Sequence, residues 1–544
     1  MDGMSMLWFG ATFAAGCVAL LGIGLCVLVA PGLVRLLLRH LQNEKEMAAL
    51  VKAGVPQLPP TEPVHRYARC HAHVFPLVGV HESTRYLVQM ARMLGSEVFV
   101  VRFITGAPRV VISSLSGIRH VLFVNLSNYV RAPLARQTLS DLVGESSVIL
   151  AEGPEHARLR RMVHSMFKAS SLLDAAPIFF KLARELVEQW RPACSTEHGA
   201  VQHHVEQRMV TFALDAILQY SFNSSAFTDE LAAAYSTIFG GDDDPILLMM
   251  LERMMFPWLK WTSPTLRRRQ KAVRSVRELS RAAVEDRQRQ RTASQDVDHE
   301  SEPQDMLDKL LDAQDPENPS GMNLSQTEVV DQILTNFSAG QATTSVVMSW
   351  GLWVLASNAV VQQNVHQHVS ELQSSEKYCA CTSDSARLEL LDQLEYLDWF
   401  IYELMRLYLP VPFMTRVTLA DDIIDGWLVP KGTTCVTDLA ALMLSRDIFG
   451  EDVDTFRPER WAPGPANPRA LAQREVLSVL PFSIGPHSCL GRRFALFEIK
   501  VVLSSVLTAF HISLPAGATS EKEPKRCGFL GSPSNVSLCL SQRN

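Results

Sequence analysis

The sequence lacks the paired CxxC knuckles that hold structural zinc, and its 10 cysteines, scattered over 544 residues, make no disulfide framework. Reduced thiols facing a cytosolic environment are expected. Positive charge is not in excess either: 51 Lys and Arg against 57 Asp and Glu leave a net charge of -6. No broad basic field exists to neutralise phosphates, which excludes nucleic acid as the main partner. Neither an internal repeat nor a GxGxxG dinucleotide fingerprint occurs. With 47% hydrophobic and 20% charged residues, the composition is that of a globular chain rather than a disordered or fibrous one.

Charge is missing altogether from Leu7 to Ala30. As a helix rising about 1.5 Å per residue, this run of Leu, Val, Ala and Phe spans a hydrocarbon core of ~30 Å once. Asp2 precedes it, whereas the basic residues Arg35, Arg39 and Lys45 follow it, so it reads as an uncleaved anchor whose positive flank stays cytoplasmic. Three parts are expected: a transmembrane anchor over 1–31, an amphipathic and proline-rich linker over 32–64 containing Pro56, Pro59, Pro60 and Pro63, and a cytosolic catalytic domain over 65–544. That topology leaves the five sequons at Asn125, Asn223, Asn323, Asn336 and Asn535 unmodified.

The remaining pattern is mostly helical. It predicts a hairpin of Glu97–Phe103 with Arg109–Ile112, a proline-free helix over 325–357 about 50 Å long, and further helices over 393–409 and 492–512. Short strands are expected near 413–419, 427–437 and 528–540. The basic cluster Arg267, Arg268, Arg269, Lys271 and Arg274 reads as a solvated helix face leading into a flexible polar loop over 292–320. Ile246–Leu259, rich in Met, Phe and Trp, reads equally as a membrane-touching gate or a buried helix. The i,i+2 pairs His71/His73 and His366/His368 do not have metal-ligand spacing, and Cys379 and Cys381 read as free thiols.

The chemistry concentrates in Pro481-Phe482-Ser483-Ile484-Gly485-Pro486-His487-Ser488-Cys489-Leu490-Gly491. A cysteine on a tight loop between Gly485 and Gly491, with Phe482 beside it, suits a thiolate held against a flat cofactor. A helix starting near Arg492 directs its first amides toward the sulfur. This string resembles the FxxGxxxCxG signature of the cytochrome P450 family, and four more stretches match in order. Glu403-Leu404-Met405-Arg406 is similar to the family's ExxR helix, and the stretch from Phe456 to Trp461 is similar to the segment whose last arginine, here Arg460, is held by that Glu. The resemblance makes Glu403, Arg406 and Arg460 structural. It also implies that His156, Arg160, Arg416 and His487 contact haem propionates, with Phe482, Gly485 and Gly491 shaping the cofactor loop and Cys489 ligating the iron.

Ala339-Gly340-Gln341-Ala342-Thr343-Thr344 resembles the element over the distal haem face, in which Ala339 and Gly340 leave room for dioxygen and Thr343 assists proton delivery. Ala342 departs from the pattern, standing where the family has Asp or Glu. Ordered water held by Thr343, or a polar group of the substrate, is then the expected proton source.

The resemblance implies a mainly α fold with small β-sheets, haem b as cofactor, and a location on the endoplasmic reticulum membrane. It implies a monooxygenase inserting one oxygen atom from O2 into a lipophilic small molecule such as a fatty acid, sterol or terpenoid. Electrons would come from NADPH through a separate flavoprotein reductase, docking at Arg158, Arg161, Arg492 and Arg493. A reductase-independent haem-thiolate isomerase or dehydratase, and a non-catalytic haem-binding membrane protein, are the alternatives. NADPH consumption with reductase distinguishes them.

Overall fold

The computed structural model describes residues 34, 38, 41–56, 80–102, 107–194, 200–222, 228–239, 249, 252–253, 256–293, 305–318, 323–463, 475–518, 522–527 and 530–543. The apolar run over 7–30, the linker prolines 59, 60 and 63, His71, His73 and Asn223 lie outside the described residues, as does most of 246–259. Among the described residues no single helix is long and apolar enough to cross a membrane.

The early hairpin forms as expected, β1 (Val98–Arg102) pairing antiparallel with β2 (Pro108–Ile112). A short strand β3 (Tyr129–Arg131) precedes helix α1 (Gly153–His164). Then come α2 (Val205–Phe222), α3 (Pro264–Ala293), α4 (Gln326–Ser357) and α5 (Glu395–Leu407). Strands β4 (Phe413–Thr418) and β5 (Thr434–Asp438) follow, and α6 (Arg492–Ala509), β6 (Phe510–Ser513) and β7 (Leu538–Gln542) complete the frame. The five-stranded sheet has the order β1-β2-β5-β4-β3, while β7 sits between Ala200–Gln202 and β6 in a smaller sheet. The protein is thus mainly helical with small sheets.

Helix α4 is the axis of the fold. Its first turn is locked by a capping box, Ser325 Oγ accepting from Glu328 N at 3.3 Å and Glu328 Oε2 accepting from Ser325 N at 2.7 Å. Buried side chains lie all round it, which is the signature of a core helix. Phe337 on α4 takes the edges of Phe222 and Tyr235 at 5.5 and 5.9 Å.

Four expectations change in detail. The strand expected over 427–437 splits at Pro430 and Gly432 (φ +81°) into Trp427–Val429, which pairs with Asp422–Ile424, and β5. The helix expected over 492–512 stops at Ala509, because Phe510–Ser513 pairs with β7. Part of the loop expected over 292–320 is the ordered helix Met306–Leu311. Asp305 at its N-cap and Asp308 in its first turn bind Arg287 of α3 at 2.7 and 2.6 Å, so opposite charges dock it. Finally, residues 41–56 of the expected linker are helical over 41–52 and bury Leu50 and Val55 against Val98 and Val110.

Candidate active site

The three residues read as structural form a closed network. Glu403 and Arg406, one turn apart on α5, meet through two bonds of 2.9 Å. The Glu403 carboxylate also accepts from Arg460 Nε at 3.2 Å, Trp461 Nε1 at 2.9 Å and Arg457 N at 3.0 Å. Arg460 reaches Phe449 O at 2.7 Å and Asp452 Oδ1 at 3.0 Å, and Arg406 donates to Met443 O at 3.1 Å. Glu403 is 0% and Arg406 1% exposed. Such burial is tolerated because every charge is paired and hydrogen-bonded. The cluster pins the segment that precedes the cysteine loop.

The loop itself needs its glycine. Gly485 has φ +76°, and a Cβ there would stand 2.4 Å from Leu122 O. Cys489 N donates to Phe482 O at 2.8 Å and Ser488 N to Gly485 O at 3.0 Å, which turns the cysteine outward from the chain. Arg160 of α1 clasps the loop, donating to Ser488 O at 2.7 Å and Ser488 Oγ at 3.1 Å. Arg492 lies over the Phe482 ring at 5.9 Å. The Cys489 thiol has accessible surface although protein surrounds it on all sides, so it opens onto an enclosed cleft. Burial pushes its pKa up, while the Gly491 backbone N–H, Arg160 and Arg492 act in the opposite sense and favour the thiolate.

Beside this loop lies a cluster of unsatisfied positive charge. His156 and His487 stack at 3.8 Å. Burial, then neighbouring charges, push His156 down to about 4 and His487 down to about 3, so both are neutral. Arg416 of β4 is 2% exposed and pushed down to about 10 by burial and by Arg131. The sequence reading missed Arg131. It stands opposite Arg416 in the β3–β4 register, an arrangement of like charges that destabilises a sheet unless something neutralises them. Its signal was faint: one arginine ending a three-residue strand.

Arg131 N donates to Glu152 Oε1 at 2.9 Å, but the Nε atoms of Arg131 and Arg416 are buried without a partner. Arg131 and Arg416 have the single carboxylate of Glu152 as their counter-charge, whereas Arg160 has the Cys489 sulfur, which leaves one positive charge over. An anionic group brought to the Arg131–Arg416 pair would complete it.

On α4, Ala339 is exposed and Thr343 half-buried within an otherwise buried stretch, so this face also opens onto free space. Thr343 Oγ1 donates to Ala339 O at 2.9 Å. Gly340 has a different use: a Cβ there would meet Ile217 Cγ1 of α2 at 3.4 Å, so the missing side chain serves the approach of α2 to α4. Of the arginines expected on a docking face, Arg158 is spent on Glu155 and Glu328, and Arg161 on Asp315 at 2.8 Å. His366 and His368 go separate ways, His368 stacking on Tyr396 and His366 meeting Ser370.

A cysteine on a glycine-bounded loop, beside buried arginines that outnumber their carboxylates, is an arrangement that fits a haem-thiolate protein. The cytochrome P450 family model matches residues 71–540, and the chain belongs to that family. Cytochrome P450 monooxygenase claO of Ampulloclitocybe clavipes is 29% identical over 79% of this chain and 82% of its own. Cytochrome P450 monooxygenase ptmK of Penicillium ochrochloron is 27% identical over 76% and 80%. Cytochrome P450 4F12 of Homo sapiens is 28% identical over 71% of each chain. The protein is a cytochrome P450 monooxygenase, an oxidoreductase whose family carries haem iron on a thiolate.

Proposed function

We propose that this chain is a membrane-anchored monooxygenase that takes electrons from NADPH through a separate flavoprotein reductase and places one oxygen atom of O2 in a lipophilic small molecule. The single observation that carries the haem-thiolate assignment is the Arg131–Arg416 pair, whose Nε atoms are buried without a partner close to His487 of the cysteine loop. In this reading Cys489 is the axial ligand, and Arg131, Arg160, Arg416, His156 and His487 hold the propionates. Haem on a thiolate supplies the O–O cleavage that the side chains themselves lack. The protein's share is orientation and protons. Gly491 N–H and Arg492 favour the Cys489 thiolate, and the Thr343 hydroxyl, half-buried beside exposed Ala339, would hand on a proton.

The reduced carbon monoxide complex is expected to show the red-shifted Soret band of thiolate ligation, and Cys489→Ala to lose it. An unchanged spectrum in the variant overturns the assignment. Deleting residues 1–30 tests the anchor: membrane attachment is expected to weaken while haem incorporation persists. Cytosolic orientation is tested at the sequon of Asn125, which is expected to stay unmodified in cells; a glycan there would show the opposite orientation. A lipophilic substrate fits an anchored enzyme, and difference spectra over a panel of lipophilic compounds identify its class. Ala342 favours the reductase-independent isomerase as a second reading, which product formation without NADPH would select.

A further inference from the structure

The outer side of α1 is closed by the chain itself. Arg160 of this helix clasps the cysteine loop, whereas its neighbours Arg158 and Arg161, 30% and 31% exposed, are turned to acids. Arg161 donates to both oxygens of Asp315, each at 2.8 Å, and meets Glu317 Oε2 at 3.1 Å. Arg158 meets Glu155 at 2.8 Å and also Glu328. Two cations therefore face four carboxylates, and a turn that reads as basic in sequence carries a surplus of two negative charges. Three of those acids come from the approach to α4. Asp315 folds its own turn, its carboxylate accepting from Glu317 N at 3.1 Å and its carbonyl from Asn318 N at 3.0 Å. Glu328 is the acid of the α4 capping box.

The contact lies within reach of water, Glu317 being 71% exposed. Ion pairs of this kind hold weakly and are screened by salt. Hydrogen bonds from Arg161 hold the Asp315 carboxyl down to about 2, so it stays charged at any working pH, and a competing anion rather than a proton opens the contact. Electrons bound for Cys489 enter near the loop that Arg160 clasps, and a donor protein seated there lies against α1. We propose that the turn Asp315–Asn318, together with Glu328, stands in for an acidic face of the electron-donating flavoprotein, occupying Arg158 and Arg161 in the free chain and giving them up when that protein docks. The forked pairing of Arg161 with Asp315 is the one that a carboxylate of the donor would take over, one bidentate contact replacing another. Displacement lowers affinity, but it rejects surfaces that carry too few acids, so the latch filters partners. The inference rests on the reductase-dependent reading.

The test uses full-length holoprotein in neutral-lipid nanodiscs and a purified NADPH-dependent flavoprotein reductase. Hydrogen exchange at the Glu317 and Asn318 amides, both bonded within the turn, is expected to quicken several-fold in the complex, without any turnover. Asp315→Asn with Glu317→Gln keeps the shapes and removes two charges; the reductase is expected to bind several-fold more tightly. Glu317→Gln alone, at an exposed position, serves if the pair fails to fold. Arg161→Gln gives a coupling that overall charge would not produce. It is expected to weaken binding several-fold in the Asp315→Asn/Glu317→Gln background and much less in wild type, where the lost contact is offset by a latch that no longer has to open. Unchanged or slower exchange in the complex, unchanged affinity after removal of the acids, or equal effects of Arg161→Gln in both backgrounds overturns the proposal. Failure of the underlying reading looks different: wild-type protein with an intact thiolate spectrum would then neither bind the reductase nor form NADPH-dependent product.

Discussion

Two buried clusters of charge lie on either side of the cysteine loop and are built on opposite principles. Around Glu403 every donor meets an acceptor, and the carboxylate alone takes five hydrogen bonds, from Arg406 twice, Arg460, Trp461 and Arg457 N. Around Arg416 the guanidiniums outnumber the carboxylates, and two Nε atoms are buried without a partner. The first cluster is complete within the chain and serves as scaffold. The second becomes complete only with a ligand. Saturation, rather than burial or charge, tells the two roles apart.

Breaking the saturated cluster has the largest expected effect. Glu403→Gln removes the acid that faces both Arg406 and Arg460, leaving Arg406 uncompensated while Arg460 keeps Asp452, and is expected to cost about 3–5 kcal/mol in urea unfolding. Haem retention should fail with it. A cost below about 1 kcal/mol would show that the network is not a unit.

The unsaturated cluster is expected to respond to acid. His156 is held at about 4 in the fold, against about 6.5 in the unfolded chain. Between these values the unfolded state binds the proton and the native state does not, so stability present above about pH 6.5 is lost as pH falls toward 4. For His156 alone the loss amounts to about 3.4 kcal/mol, at 1.36 kcal/mol per unit, and His487, held at about 3, adds to it. Bound propionates would favour the imidazolium, so the holoprotein should lose less. His156→Gln should flatten the apoprotein profile, and parallel apo and holo profiles would count against an anionic group at this site.

A change of sign sharpens the contrast further. Arg416→Gln removes a charge that the chain itself does not pair, so the apoprotein is expected to unfold no more easily than wild type. Haem retention, followed by transfer to apomyoglobin, should weaken by about 1.5–3 kcal/mol, the worth of a charge-assisted hydrogen bond. Equal destabilisation of apo and holo forms would place Arg416 in the scaffold instead. The smallest effect is expected at Ser325→Ala, which opens the α4 capping box at about 1 kcal/mol in thermal unfolding and leaves haem retention unchanged.

Contiguous features were legible in the sequence: the cysteine loop, the ExxR turn, the β1–β2 hairpin and the whole of α4 down to its cap. Each is set by residues a few positions apart, where helical periodicity, alternation or glycine placement acts directly. Arg131 escaped because its meaning depends on standing opposite Arg416 across a strand pair nearly three hundred residues apart in sequence. Asp315 lies 154 residues from Arg161, so nothing local told that the basic turn of α1 would be neutralised.

Taken alone, the sequence determined the family, the cysteine loop, the long central helix and the absence of an acid at Ala342, since all of these are written in short-range order. The tertiary structure decided which buried charges are satisfied. It closed the ring around Glu403, left the Nε atoms of Arg131 and Arg416 without acceptors, and turned Arg158 and Arg161 toward carboxylates of the chain itself. Electrostatic and hydrogen-bond energies depend on distance in space and on exclusion of water, and neither quantity exists until distant segments have packed together.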